Sequence, residues 1–384
     1  MRNFKKVKRV IIKIGSSSIT DVESGVKNDI LANIMFMANT LKQNGISLII
    51  VSSGAISAGM HELGFKEKPK NLSLKQACAA VGQAKLMECY NNQARKYNLV
   101  TGQILVSHDD FGLRNRMNLL SNTLDEMIKN GIIPIINEND TLAVDEIKVG
   151  DNDTLSSYIA PMISADLLIL FSDIDGLYDK NPKIYSDAKL ISTVKEIDKK
   201  IVSYAGGATS NVGTGGMATK INAALISTSA GCNMLICNST EIPNLLKIVS
   251  GEEIGTLFLS NKNAISSREH WMIFSSNSYG TIVVDDGLKN ALVDKKVSIL
   301  SKGIKDVVGS FLENKVINIC DTKGNIIAKG VTNYSSDDIL KIKGHDSIEI
   351  EQILNKKNYK NEVIHANKMV VLRNDLYGRT IKKM

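Results

Sequence analysis

A chain of 384 residues is longer than most single domains, so two domains are expected. Its 43% apolar content is ample for a packed core, yet no run approaches the ~18 consecutive apolar residues that a bilayer span requires. Five cysteines without C-x-x-C spacing and five scattered histidines argue against a zinc site or a disulfide frame, and for a reduced, cytoplasmic protein. The formal charge of +7 is uneven: from residue 278 onward, 18 Lys/Arg stand against 13 Asp/Glu. A mildly basic C-terminal part permits contact with nucleic acid, although a solvated basic surface is the simpler explanation.

The first residues are basic, but Lys13 breaks their apolar stretch after three residues, too early for a signal peptide. Residues 7–14 (V-K-R-V-I-I-K-I) instead predict a buried strand running into the turn G-S-S-S. Helical spacing of Ile30, Leu31, Ile34, Met37 and Leu41 predicts a helix over 28–43 that stops at Gly45. A second buried strand follows at 46–51, broken by S-S-G-A. Helices are expected at about 54–63, 74–96 and 113–130, with short strands at 102–106 and 132–136. Next come a helix at 153–163, a strand at 166–171 ending in Ser172-Asp173, a helix at 217–230 and a strand at 233–237. Strands alternating with helices predict a mainly parallel sheet covered on both faces, with functional loops at the carboxyl ends of the strands. Near 260–280 the texture changes to Asn, Ser and Lys, which reads as a linker. From 281 the segments turn short and β-like.

Two stretches carry the chemistry. V-G-T-G-G-M-A-T-K at 212–220 places three glycines ahead of a helical run. Backbone N–H groups there can converge on an anion that the helix N-terminus also favours. The glycine spacing also fits a dinucleotide fingerprint, but the residues before it, A-G-G-A-T-S-N-V, are a polar loop and not a strand. No Walker A pattern is present. E-I-K-V-G-D-N-D at 146–153 gathers Asp151, Asn152 and Asp153 behind a glycine turn near Lys148, and Asp151 or Asp153 could simply cap the next helix. Lys13, near the end of the first strand, either reaches a phosphate or snorkels to water from an edge position. An anion cradle, lysines and clustered carboxylates point to a nucleoside triphosphate with magnesium, and so to a small-molecule kinase.

Six ordered segments carry a resemblance. They are V-S-S-G-A-I at 51–56, A-A-V-G-Q at 79–83, P-I-I-N-E-N-D at 134–140, E-I-K-V-G-D-N-D at 146–153, S-D-I-D-G-L-Y at 172–178 and G-T-G-G-M-A-T-K at 213–220. With V-I-I-K-I-G-S-S at 10–17, the chain resembles the glutamate 5-kinases of the amino acid kinase superfamily, in the version with a C-terminal PUA domain. The resemblance runs to about residue 367; the tail beyond has no assigned role.

It implies a three-layer α/β/α fold with a mainly parallel sheet over residues 1–262 and a small β-rich PUA domain over 278–367. It implies ATP-dependent, magnesium-dependent phosphorylation of the γ-carboxylate of L-glutamate. Lys13 and Lys220 would contact the ATP phosphates, and Asp153 would organise the two lysines. Ser172, Asp173 and the loop of Thr214, Gly215, Gly216, Met217, Ala218, Thr219 and Lys220 would line the nucleotide. Ser53, Asp140 and Asn152 would hold glutamate. Direct metal ligands are not indicated. Relatives in the superfamily acting on aspartate, acetylglutamate or UMP share the fold but match less well in N-E-N-D and V-G-D-N-D. Family members more often carry threonine at the position of Ser172, and serine keeps the hydroxyl. The resemblance further implies a tetramer inhibited by proline. It leaves RNA contact through the PUA domain open.

Overall fold

The computed structural model describes the chain except for residues 5, 143–151, 206–215, 262–263, 296, 356–358 and 373–384. It folds as two compact units, residues 1–265 and 266–384. The first holds an eight-stranded sheet. Its strands in chain order are β1 (Arg9–Ile14), β4 (Ser47–Ser52), β5 (Val100–Val106), β6 (Ile132–Glu138), β7 (Leu167–Ser172), β8 (Thr193–Val194), β9 (Asn233–Asn238) and β10 (Thr256–Phe258). A separate small hairpin, β2 (Thr20–Asp21) and β3 (Gly25–Val26), follows the first strand. The spatial order is β5-β6-β4-β1-β7-β9-β10-β8, parallel from β5 to β9 and antiparallel only between β9 and β10.

The helices of this unit are α1 (Ser16–Ile19), α2 (Asn28–Gln43), α3 (Ala55–Glu62), α4 (Leu72–Arg95), α5 (His108–Gly112), α6 (Arg114–Lys129), α7 (Asn152–Met162), α8 (Lys199–Tyr204), α9 (Met217–Ser229) and α10 (Leu245–Ser250). Because strand side chains alternate, Val10, Ile12 and Ile14 enter one hydrophobic core with the apolar stripe of α2. Ile11 and Lys13 face the opposite side, where α7 and α9 pack on each other. That alternation sends Lys13 to the same layer as the two helices bearing the other charged candidates. β1 has neighbours on both sides, pairing Lys13 with Val51 and Leu170. The edge-strand reading of Lys13 therefore fails: the residue is in the middle of the sheet.

The second unit begins with α11 (Ser267–His270) and one π-helical turn, Trp271–Ser275, whose Trp271, Met272, Ile273 and Phe274 are buried. Part of the segment expected as a linker is thus core. The Asn, Ser and Lys residues on either side conceal the apolar run W-M-I-F. A five-stranded sheet follows, in the order β13 (Ile304–Val308), β11 (Thr281–Val284), β14 (Val316–Cys320), β15 (Ile326–Val331), β17 (Met369–Val371), beside a two-stranded ladder of β12 (Ile299–Leu300) and β16 (Glu362–Ile364). Its own core gathers Ile282, Val284, Ile317, Ile319, Ile339 and Ile364. All five cysteines are free and buried.

Candidate active site

The site lies at the carboxyl ends of the central strands. Lys13, Val51, Ile136 and Leu170 stand in one row across the sheet, and Ser52 and Phe171 lie one residue further along their strands. Just beyond the row, α7 starts at Asn152 and α9 at Met217. Each helix contributes a charge in its first turn.

Asp153, the second residue of α7, is fully buried and meets two ammonium groups. Lys13 Nζ is 2.6 Å from its Oδ1 and Lys220 Nζ is 2.9 Å from its Oδ2. Lys220 is itself only 2% exposed. Burial alone would push the Asp153 carboxyl upward, but the charges of Lys13 and Lys220 outweigh it and hold the group below its ordinary value. With both oxygens facing lysines, Asp153 is a poor proton acceptor and a good clamp. Two cations around one anion leave an excess positive charge at the end of the sheet, which favours an anionic ligand.

Asn152 precedes Asp153 and faces a different set of groups. Its Nδ2 donates to Ser53 Oγ at 2.6 Å, to the Ser52 carbonyl at 3.0 Å and to Asn137 Oδ1 at 3.2 Å. Ser53 is placed by the turn from β4 into α3, where Gly54 has φ +97° and a Cβ would meet Thr20 Cγ2 at 2.8 Å. Only glycine suits that position. The same motif also closes the layer behind it. Gly59 on α3 and Gly82 on α4 let the two helices touch backbone to backbone: a Cβ on Gly82 would stand 1.8 Å from the Ala55 carbonyl oxygen. V-S-S-G-A-I and A-A-V-G-Q are therefore two halves of one contact that anchors Ser53.

Asp140 lies half-buried in the turn after β6, where Leu142 N–H donates to the Asn139 carbonyl at 3.0 Å. Ser172 ends β7 and donates to Asp173 Oδ1 at 2.9 Å. Asp175 of the same segment is structural, accepting from Asn238 Nδ2 at 2.9 Å and Tyr178 Oη at 3.1 Å. Gly216 caps α9 with extended backbone, and Thr219 Oγ1 donates to its carbonyl. Met217, Ala218 and Thr219 form the exposed to half-buried first turn that leads to Lys220. Thr214 and Gly215, like Lys148 and Asp151, lie outside the described residues.

The structure thus brings together Lys13, Asp153 and Lys220 in one cluster and Ser53 and Asn152 in a second, joined by the Asn152–Asp153 peptide. The sequence reading gave no role to Ser52, Asn137 or Gln83, which complete the second cluster. Its available signal was three polar residues inside otherwise apolar strand and helix faces.

This arrangement of lysines and carboxylate at the carboxyl edge of a parallel sheet agrees with the sequence match, which covers residues 8–238 with the amino acid kinase family. The chain belongs to the amino acid kinase family. Residues 280–354 match the PUA domain. Among relatives, the glutamate 5-kinase of Caldanaerobacter subterraneus subsp. tengcongensis is 45% identical over 372 residues, covering 96% of this chain and all of that one. Those of Carboxydothermus hydrogenoformans and Methanosarcina barkeri are each 44% identical over 370 residues. They cover 96% and 94% of this chain, and 98% and 96% of their own lengths. Among the described residues, no helix of this amino acid kinase is long and apolar enough to cross a membrane.

Proposed function

We propose that this amino acid kinase transfers the γ-phosphoryl group of ATP to the γ-carboxylate of L-glutamate, forming L-glutamyl 5-phosphate and ADP, the first step of proline biosynthesis. The observation that carries the reading is the division of labour at the start of α7. Asn152 is bonded to the Ser53 turn, while the next residue, Asp153, grips two lysines. In this reading the groups that hold the amino acid and those that face the phosphates are one peptide apart. Relatives similar over nearly the full length and named glutamate 5-kinase support the choice of acceptor.

The acceptor carboxylate, with an ordinary pKa near ~4.3, is already ionised at neutral pH and needs no general base. One of its oxygens attacks the γ-phosphorus, the bond to the β–γ bridging oxygen breaks, and ADP leaves with that electron pair. The obstacle is the approach of an anion to a triphosphate, so positioning and charge carry the catalysis. In this reading Lys13 and Lys220 face the phosphates, and Asp153 holds the two ammonium groups at a fixed separation. Ser172, Asp173 and the segment Thr214–Lys220 line the nucleotide. Ser53, Asp140 and Asn152 hold glutamate, with the Asp140 carboxylate on the substrate ammonium.

The described residues contain no converging group of three or more His, Cys, Asp or Glu. Asp153 has both oxygens on lysines. This suits magnesium that arrives on the nucleotide, since that ion keeps its waters and phosphate ligands in preference to a protein cage. When bound there it would neutralise charge on the β- and γ-oxygens, alongside Lys13 and Lys220.

ADP release with glutamate, aspartate, acetylglutamate and UMP as acceptors tests the assignment. Glutamate should be required, magnesium should be needed, and glutamyl hydroxamate should accumulate when hydroxylamine is present. Faster turnover of UMP or acetylglutamate would overturn it. The same reading extends to a cytoplasmic homotetramer inhibited by proline, which sedimentation and proline titration check. RNA contact through residues 278–367 is a separate property that this reading leaves open. A salt-dependent mobility shift with structured RNA, lost in a chain ending near residue 265, would establish it.

A further inference from the structure

Gln83 closes the A-A-V-G-Q segment and has no part in the mechanism above. It is 7% exposed, and its neighbour in space, Asn137, is 2% exposed. A buried amide on a packed helix face is costly unless its polar atoms are used. Here they are. Asn137 Nδ2 donates to Gln83 Oε1 at 3.0 Å, and Gln83 Nε2 donates to Gln103 Oε1 at 3.1 Å. Upstream, Asn152 Nδ2 donates to Asn137 Oδ1, which also accepts from the Glu138 N–H at 2.9 Å. Four amides are therefore linked by three donations in one direction, from Asn152 through Asn137 and Gln83 to Gln103.

We infer that Gln83 is a positioning residue that holds the Asn137 amide in place beneath Asn152 and so steadies Asn152 for recognising the ammonium group of the amino-acid substrate. The inference rests on the functional reading above. The two Nδ2 protons of Asn152 have three acceptors: Ser53 Oγ, the Ser52 carbonyl and Asn137 Oδ1. Among the described residues no donor meets its Oδ1, and an acceptor there selects a donor. Turning Asn137 over would set its Nδ2 against the Glu138 N–H and the Asn152 donor, and its Oδ1 against Gln83 Oε1. The Glu138 N–H and the Ser52 carbonyl forbid this, and Gln83 meets the Nδ2 that the fixed Asn137 amide turns toward it. It can do so rigidly because the preceding residue, Gly82, locks α4 against α3. The ideal Cβ at Gly82 falls 2.3 Å from Gly59 N, and α3 begins two residues after Ser53. Gln103, at the far end, is exposed and free to turn to suit Gln83.

The test compares a ligand that has the ammonium group with one that lacks it. In Gln83→Met the glutamate KM should rise ~10-fold, while kcat, the ATP KM and the inhibition constant of glutarate stay within about twofold. Gln83→Asn, one methylene too short to reach Asn137, should behave the same way and guards against a Met variant that fails to fold. Gln83→Glu, which can still accept from Asn137, should restore the glutamate KM to within about threefold. An unchanged glutamate KM in both Met and Asn variants overturns the inference. So does a parallel loss for glutarate or ATP, because that is what a general disturbance of packing produces. If the unaltered chain does not phosphorylate glutamate at all, the functional reading itself fails, and this assignment with it.

Discussion

Each folding unit buries a lysine, and the two are solved in opposite ways. Lys220, 2% exposed, sets its ammonium 2.9 Å from the carboxylate of Asp153, which Lys13 meets on its other oxygen. Lys329 of β15, 4% exposed, is held by carbonyl groups: Ser276 O at 3.0 Å and Ile273 O at 3.4 Å, with no carboxylate among the described residues. Directly across the ladder, Asn318 keeps a buried Oδ1 that has no hydrogen-bond partner among the described residues. Burial pushes Lys329 down to about 8. A buried cation with a counter-charge and a second cation beside it is a device for holding an anion. A buried cation held by carbonyl dipoles alone has its desolvation only partly offset, which is why its pKa falls.

The sharpest way to break this contrast is to remove the counter-charge. Asp153→Ala would leave two uncompensated ammonium groups, costing about 3–5 kcal/mol of stability in the first unit. Turnover should fall by ~10³-fold or more, because the lysines lose their fixed spacing. Thermal unfolding and steady-state kinetics read the two effects, and near-normal values in both would deny Asp153 its clamping role. Lys220→Ala should lower turnover by at least ~10²-fold, roughly 3 kcal/mol, with little change in the glutamate KM. Lys329→Met should leave turnover within about twofold. Equal losses in the two lysine variants would erase the distinction between the units. Asp140→Ala sharpens the comparison within the first unit. If it pairs with the substrate ammonium, its loss raises the glutamate KM ~30-fold, about 2 kcal/mol, and spares ATP. A loss of ATP affinity instead would move N-E-N-D to the nucleotide side.

Much of this was legible in the sequence where one local signal sufficed. The apolar runs at 7–14, 46–51 and 132–136 announced buried parallel strands, and β1, β4 and β6 lie there. Lys13 was conspicuous because it interrupts such a run, but only pairing on both sides shows that its strand is central. The meeting of residues 13, 153 and 220 follows from no spacing in the sequence, only from the family resemblance. Short elements such as β8, β10 and α8 have too few residues to show a period. The run W-M-I-F at 271–274 was concealed by its polar flanks. The amide chain through Gln83 and Asn137 was not legible because its members come from α4, β5, β6 and α7. A single polar residue on an apolar face does not say whom it meets.

The smallest expected effect tests the other half of the contrast, the pH response of Lys329. In the unfolded chain this lysine has its ordinary value of 10.5, whereas burial lowers it to about 8 in the folded unit. Between those values the unfolded state binds more protons than the folded state, so stability must rise with pH across this window. Below pH 8 both states hold the proton, and the full penalty for a buried ammonium is present. As pH climbs, the folded state sheds the proton first and the penalty fades. From pH 7 to pH 9 the gain should be about 1 kcal/mol. Hydrogen exchange of the β14–β15 amides in the full chain, corrected for the intrinsic pH dependence, measures it locally. Lys329→Met has nothing to titrate there and should show no such rise. An unaltered slope in that variant would assign the effect to other groups, and Lys329 would then be a buried cation whose carbonyl partners compensate it as fully as Asp153 compensates Lys220.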